Sequence, residues 1–493
     1  MGGNRVRESG DSRAGIPHRP GDSLTPRAVR FGKHSGPVMR EGVDATEIDR
    51  VLAEAEAAGV RLTRLMWCGN DGTVRAKAAT APALRARMVG GVGLSRAQQA
   101  QNALDRISPV EGMGPVGEMR LLPDPATFRI LPYAPATAGM LADMVDLDGR
   151  PEPACPRGFL RRMEDRLAER GLAALVGFES EFALARQGPD GWEPIDRSAC
   201  FSTAGATASQ EFMEALLDAL EMQGVEVEGC HAEAGWGQNE IAMAPAPPRR
   251  AADEQVLVRE TLRGVAHGLG LAASTAPKPY AEGAGSGVHV HVSLSGRGGE
   301  NLLYDAAADN GLSETAHGFI AGLLAHLPAL CAITAPSAGS YRRLVPRAWA
   351  GAWRCWGYDN REAAVRACSP FAGREERSTN IEYKPSDASA SPYMTVGALL
   401  AAGLDGIDRQ MGAPAPIGVD PATLSDRQRA DHGIEPLPRT PAEALDALEA
   451  DGVLRSALGD ELARSFIAVR RSEWEMDEQA SDEAELAAHF LRY

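Results

Sequence analysis

Apolar positions recur along this chain with two periods, near 3.6 and near 2, and those periods sort it into helices and strands. Ile48, Val51, Leu52 and Ala55 lie at helical spacing, which predicts a helix over 45–58. Residues 61–67 and 73–79 read as strands joined by an Asn70-Asp71-Gly72 turn. Residues 111–150 are broken by Pro and Asp-Gly and read as loop-rich, and Pro151-Glu152-Pro153 reads as a domain boundary. Pro156 opens a helix predicted over 156–170, closed by Gly171, with a strand following at 174–185 and a long loop to about 207. Helices are predicted at 209–223, 252–268, 314–330 and from Pro392 to 409, and strands at 225–230, 239–243 and 287–294. Thr440-Pro441-Ala442-Glu443 is a capping box, so a helix is predicted at 441–450. Strands mixed with long helices make this an α+β or α/β chain rather than a sandwich or a bundle, and α+β is the class expected once the motifs below are weighed. Its expected parts are a disordered tail at 1–43, an N-terminal domain at 44–150 and a larger domain at 151–493.

Composition narrows the function. The net charge of −16 over 493 residues lacks the basic surface that nucleic acid or an anionic membrane requires. Seven scattered cysteines without a CxxC pair fit a reducing compartment, and no run of 18 apolar residues stands out. The expected location is therefore the cytoplasm, with no nucleic-acid or membrane partner.

The chemistry is concentrated on strand faces. In Gly177-Phe-Glu-Ser-Glu-Phe182, alternation puts Glu179 and Glu181 on one face and the phenylalanines on the other. Two carboxylates side by side repel unless a cation lies between them. In 285–294, His289, His291 and Ser293 share one face and four aliphatic residues the other. Glu233 and Glu240 flank a glycine-rich turn, Glu382 and Lys384 share a strand face, and Arg342, Arg343, Arg361 and Arg366 fall in an aromatic-rich stretch. An oxygen-dominated donor set suits Mg²⁺ or Mn²⁺ rather than zinc, and arginines bind phosphate and carboxylate. Together they point to ATP-dependent phosphoryl transfer on a scaffold without a P-loop.

These motifs, in order, resemble the type I glutamine synthetase family from about residue 45 to the C-terminus. They are GxExEF at 177–182, HxE with GQNEI at 231–241, GSGxHVHxSL at 285–294, SYRRLVP at 340–346, NRxxxxR at 360–366 and PSDASASPY at 385–393. The resemblance implies an N-terminal β-grasp domain and a catalytic domain built on a curved antiparallel sheet. It also implies a homo-oligomer of two stacked hexameric rings, with active sites between neighbouring subunits. ATP would convert the γ-carboxylate of glutamate to an acyl phosphate, and an amine or ammonia would displace phosphate. By motif position, Glu181, Glu233 and Glu240 would hold the metal near the substrate, and Glu179, His289 and Glu382 the metal near ATP. His291 and Ser293 match nucleotide-binding positions, Arg361 and Arg366 face the transferring phosphoryl group, and Arg343 and Gly285 contact the amino-acid substrate.

The pattern breaks where ammonium would bind. The family's Asp three residues before the turn glycine is Gly69 here, and the Glu of its closing flap is Trp349. Ala284 replaces an Asn, Lys384 an Arg, and Phe201 stands near an expected Tyr. Trp67, Trp236, Trp349, Trp353 and Trp356 lie in or beside motifs and read either as core packing or as a pocket for a larger amine, with the lost carboxylates leaving room. The leading expectation is a ligase joining glutamate to an organic amine, with Trp349 and Lys384 in the substrate site. Ammonia-using glutamine synthetase is the alternative, and a catalytically silent structural or regulatory relative the third reading.

Overall fold

The computed structural model describes residues 45–189, 191–308 and 310–493, so the tail expected at 1–43 lies outside the described residues. An N-terminal sheet comprises β1 (Leu62–Cys68), β2 (Val74–Thr80), β3 (Val92–Ser95), β4 (Glu118–Pro123), β5 (Arg129–Ile130) and β6 (Thr137–Val145). Its order is β2-β1-β6-β4-β3, with β5 also on β6, and β1 runs parallel to β6. Strands β4, β5 and β6 correct the expectation of a loop-rich stretch over 111–150. All nine residues of β6 are buried, so it shows none of the polar alternation that marks a half-exposed strand.

The larger sheet contains β7 (Ala173–Gly188), β8 (Gly191–Pro194), β9 (Val227–Ala232), β10 (Gln238–Met243), β11 (Ala272–Ser274), β12 (Val288–Ser295), β13 (Trp353–Tyr358), β14 (Ala363–Ala367), β15 (Ile381–Tyr383) and β16 (Glu435–Pro436). The main path is β16-β13-β14-β15-β12-β7-β10-β9. It is the expected antiparallel sheet, with one parallel pair, β13–β14.

Helices cover the apolar face. Helix Glu314–Thr334 packs on helix Pro392–Asp408 so closely that Gly322 faces the carbonyl of Ala402 and Gly406 that of Gly318, leaving no space for a Cβ. Helix Glu314–Thr334 is long and apolar enough to cross a membrane, but it is sheathed in the core, with Pro328 inside it. Helix Thr203–Met222 starts six residues before its predicted N-terminus, because the Ser202 side chain caps it by accepting from Gly205 N–H.

A buried charge cluster ties the N-terminal sheet to these helices. Arg157, on helix Pro156–Glu169, donates to both carboxylate oxygens of Asp253 at 2.9 Å, to Asp143 on β6 at 3.0 Å and to Asp124 at 2.9 Å. Tyr393 donates to Asp253 at 2.7 Å. Arg157 is buried, and its guanidinium fork makes Asp253 tolerable inside and, together with Arg161 at 2.5 Å, Asp143.

Candidate active site

Strand register assembles the site. Across β7 and β10, Glu181 is directly opposite Glu240, which in turn is opposite His231 on β9. Across β7 and β12, Glu179 faces His289. On the other side of β12, His291 faces Glu382, which also faces Arg366 on β14. Directly opposed residues point to the same side, so residues from six strands converge on one face.

Three overlapping groups have ligand atoms close enough to share a cation: Glu179 with His291 and Glu382, Glu179 with Glu240 and His289, and His231 with Glu233 and Glu240. His291 Nε2 is 3.2 Å from Glu179, and His289 Nδ1 is 3.5 Å from both Glu179 and Glu382. Five of the six expected metal-holding residues lie in these groups, and the sixth, Glu181, stands beside them, 3.9 Å from His289 Nε2. His231 enters the network without having been singled out from the sequence.

The electrostatics call for a cation. Burial and the neighbouring Glu179 and Glu181 carboxylates push Glu240 up to about 8, against the pull of His231. Burial acts against Glu382 too, but Lys384, His291, His289 and Arg366 outweigh it and hold this carboxyl down at about 2. Glu179 is likewise held below the usual carboxylate range, since His289 and His291 overcome its burial. Burial and Lys384 lower His289, whereas His291 is raised despite burial by Cys368, Glu179 and Glu382. Oxygen and imidazole donors around crowded carboxylates fit hard divalent ions.

Beside this network lies a cavity of about 630 Å³, lined by Glu179, Glu228, His291, Ser293, Arg366 and Cys368 among others. Arg366 reaches Glu382 at 2.5 Å. Arg361 stands apart, exposed at a turn near Asp359. Arg343 is buried and donates to the carbonyls of Ser386 at 3.2 Å and Lys384 at 3.4 Å, with His289 Nε2 at 3.2 Å. It comes so near the backbone that a Cβ at Gly285 or Gly287 would collide with its side chain. Lys384 is buried and bonded to Glu382 at 3.2 Å, so its ammonium serves a carboxylate of the protein.

Gln238 is a residue that sequence reasoning left without a role. Its amide donates to Glu181 at 2.8 Å and to the Gly285 carbonyl at 2.9 Å, and its oxygen accepts from Gly235 at 2.6 Å. It orients Glu181 and joins two site loops. Its place in GQNEI was the available signal.

The aromatic expectation needs correction. Trp67 belongs to the N-terminal core and Trp356 to the main core, where its indole donates to Pro414. Trp353 lies under Arg429 at 4.8 Å, and Trp236 is capped by Arg197 at 4.1 Å. Trp349 is 53% exposed, with its backbone N–H donating to Glu362 at 2.8 Å. Gly69 also departs from expectation, because the space where its side chain would begin is filled by Asp71 Oδ1, 2.4 Å from a Cβ there. Asp71 is buried and paired with Arg75 at 2.7 Å, so this position is not vacant.

The profile of the glutamine synthetase N-terminal domain matches residues 47–152, and that of the glutamine synthetase catalytic domain residues 153–489. The chain belongs to the glutamine synthetase family. It is 38% identical to a gamma-glutamylpolyamine synthetase of Streptomyces coelicolor over 91% of this chain and 97% of that one. It is 34% identical to a glutamine synthetase of Methanococcus maripaludis over 75% and 83%. A solved novel glutamine synthase homolog superposes with a TM-score of 0.78 at 35% identity, covering 88% of this chain and 99% of that one. A GmaS/ADP complex gives 0.77 at 27% identity, covering 88% and 97%. The family and α+β fold expected from the motifs are thus borne out. Glutamine synthetase family enzymes are ligases that use ATP and divalent metal, and this chain carries a matching donor set.

Proposed function

We propose that this protein uses ATP to activate the γ-carboxylate of glutamate and joins it to an organic amine. The carrying observation is a contrast within one site. The carboxylate–imidazole network and Arg366 are assembled together, whereas the two positions where relatives place ammonium-handling carboxylates hold Gly69 and Trp349. Ammonium is small and strongly hydrated, so a dry site must replace its water with charged or polar partners. An amine with a carbon chain gains instead from burial, about 0.8 kcal/mol per CH₂. The Streptomyces relative named for polyamines supports putting polyamines first on the test panel.

When bound, Mg²⁺ or Mn²⁺ would neutralise phosphate oxygens, and the residues suited to hold it are Glu179, Glu181, Glu233, Glu240, His289 and Glu382. The chain's own residues divide the remaining work. His291 and Ser293 line the cavity suited to ATP, and Arg366 with Arg361 would stabilise charge on the transferring group. Arg343, Gly285 and Lys384 shape the amino-acid end, and Trp349 the acceptor end. Two stacked hexameric rings in the cytoplasm complete the proposal, with mass photometry as the check on assembly.

The deciding experiment is phosphate release with ATP, glutamate and a panel of di-, poly-, alkyl- and arylamines beside ammonium. Some amine should exceed ammonium in kcat/KM by at least about tenfold, roughly 1.4 kcal/mol. Equal or better turnover of ammonium would make this an ordinary glutamine synthetase. No turnover with any acceptor would favour the silent reading.

A further inference from the structure

Glu362 is a buried carboxylate with no cationic partner among the described residues. Its side-chain partners are two backbone N–H groups of one loop: Arg347 donates to Oε2 at 2.9 Å and Trp349 to Oε1 at 2.8 Å. Both donors have left-handed backbones, with φ of 65° and 53°. For a tryptophan that conformation is unfavourable and persists only where surrounding contacts impose it. Alternating backbone N–H groups curled around an anion form a nest, and here the anion is the protein's own side chain.

The loop is short and anchored at both ends. Residues 345–349 are exposed, whereas Arg343, Leu344 and Ala350 are buried. Arg343 reaches His289 of the candidate active site, and Gly351 presses on the Lys384 side chain. Glu362 is itself fixed from behind. Its N–H donates to Asn360 Oδ1 at 3.1 Å, and Asn360 donates to the Ile417 carbonyl at 2.7 Å. The next residue begins β14, which carries Arg366. One rigid turn therefore positions both the phosphate-facing arginine and the loop that ends in Trp349.

We propose that Glu362 is a positioning residue for acceptor selection: it locks the 345–349 loop so that Trp349 stands as a fixed wall at the site entrance. This rests on the amine-ligase reading for its functional half, and on geometry alone for the clamp. A loop held open-ended by solvent would let Trp349 swing aside and admit small acceptors and water. A clamped one keeps the indole where a carbon chain can lie against it.

The test uses the full-length protein with Glu362→Ala, the isosteric Glu362→Gln, Trp349→Ala and the Glu362→Ala/Trp349→Ala double variant. Hydrogen exchange of peptides spanning 344–351 should quicken at least about tenfold in Glu362→Ala, with peptides over 177–183 and 288–295 unchanged. Glu362→Gln keeps one acceptor oxygen and should protect one of the two amides. With putrescine and spermidine against ammonium, the amine-to-ammonium ratio of kcat/KM should fall at least about fivefold in Glu362→Ala, while KM for ATP stays within about twofold. Trp349→Ala should fall as far, and the double variant no further. Unchanged exchange in Glu362→Ala overturns the clamp. Faster exchange with an unchanged ratio overturns the role in selection. If the wild type turns over no amine, the ligase reading fails and the selection role falls with it, while the exchange result still decides the clamp.

Discussion

Replacing Glu240 by Gln would expose how this site depends on its metal. Glu240 is buried, opposite Glu181 and close to Glu179, and without a cation it is pushed up to about 8 from an ordinary 4.5. At pH 7 it is therefore mostly protonated, and a divalent ion must expel that proton to use the carboxylate. Affinity for Mn²⁺ should weaken about tenfold at pH 7 and about a hundredfold at pH 6 relative to its plateau above pH 8. The sign for stability follows from the same shift. A carboxyl raised in the folded state destabilises the metal-free protein progressively as pH climbs from 4.5 towards 8, and the effect levels off above that. At pH 7 the cost is about 3 kcal/mol. Glu240→Gln mimics the neutral form, so the metal-free variant should match or exceed wild-type stability at pH 8 while binding Mn²⁺ far more weakly. Calorimetric titration with Mn²⁺ in two buffers of different ionisation enthalpy counts the protons released. Wild type should release close to one more than Glu240→Gln at pH 7. A difference below about 0.3, or wild-type affinity flat from pH 6 to 8.5, would refute the crowded-carboxylate argument.

Three further outcomes are expected. Arg157→Met should cost about 3–5 kcal/mol, read as a fall in thermal midpoint, because Asp253 keeps its burial and loses its cation, while Asp143 is left with Arg161 alone. His326 is raised, with Asp451 at 2.6 Å and Asp405 at 3.1 Å outweighing burial, so its contribution is full below about pH 6.5 and is lost as pH rises through the elevated folded value. Urea midpoints of wild type and His326→Gln should accordingly differ more at pH 6 than at pH 9. Trp349→Glu alone should move acceptor preference towards ammonium, read as the kcat/KM ratio. Adding Gly69→Asp should lower stability, since Asp71 already occupies that space.

How far the chain can be read without its structure depends on what each feature's signal is. Capping and periodicity are local, so helix Pro441–Ala450 and the β7 and β12 faces were legible residue by residue. Strand β6, within 111–150, was not, because a strand buried on both sides loses its alternation and resembles any apolar run. Alternation assigns Glu179, Glu181, Glu240, His289 and Glu382 a strand face each, but their convergence is a matter of register between strands far apart in sequence, and Glu233 comes from the turn between β9 and β10.

Sequence by itself determined the family, the donor chemistry and the presence of Gly69 and Trp349 where the family resemblance implies carboxylates, because these are properties of residue identity and order. Only the tertiary structure decided what fills the places left behind. It turned Trp67 and Trp356 into core, gave Trp236 to Arg197, closed the space at Gly69 with Asp71, and set Glu362 beneath Trp349. The physical reason is that a side chain's neighbours are set by packing across the fold. A missing carboxylate leaves room only where nothing else has moved in, and separation along the chain carries no record of that.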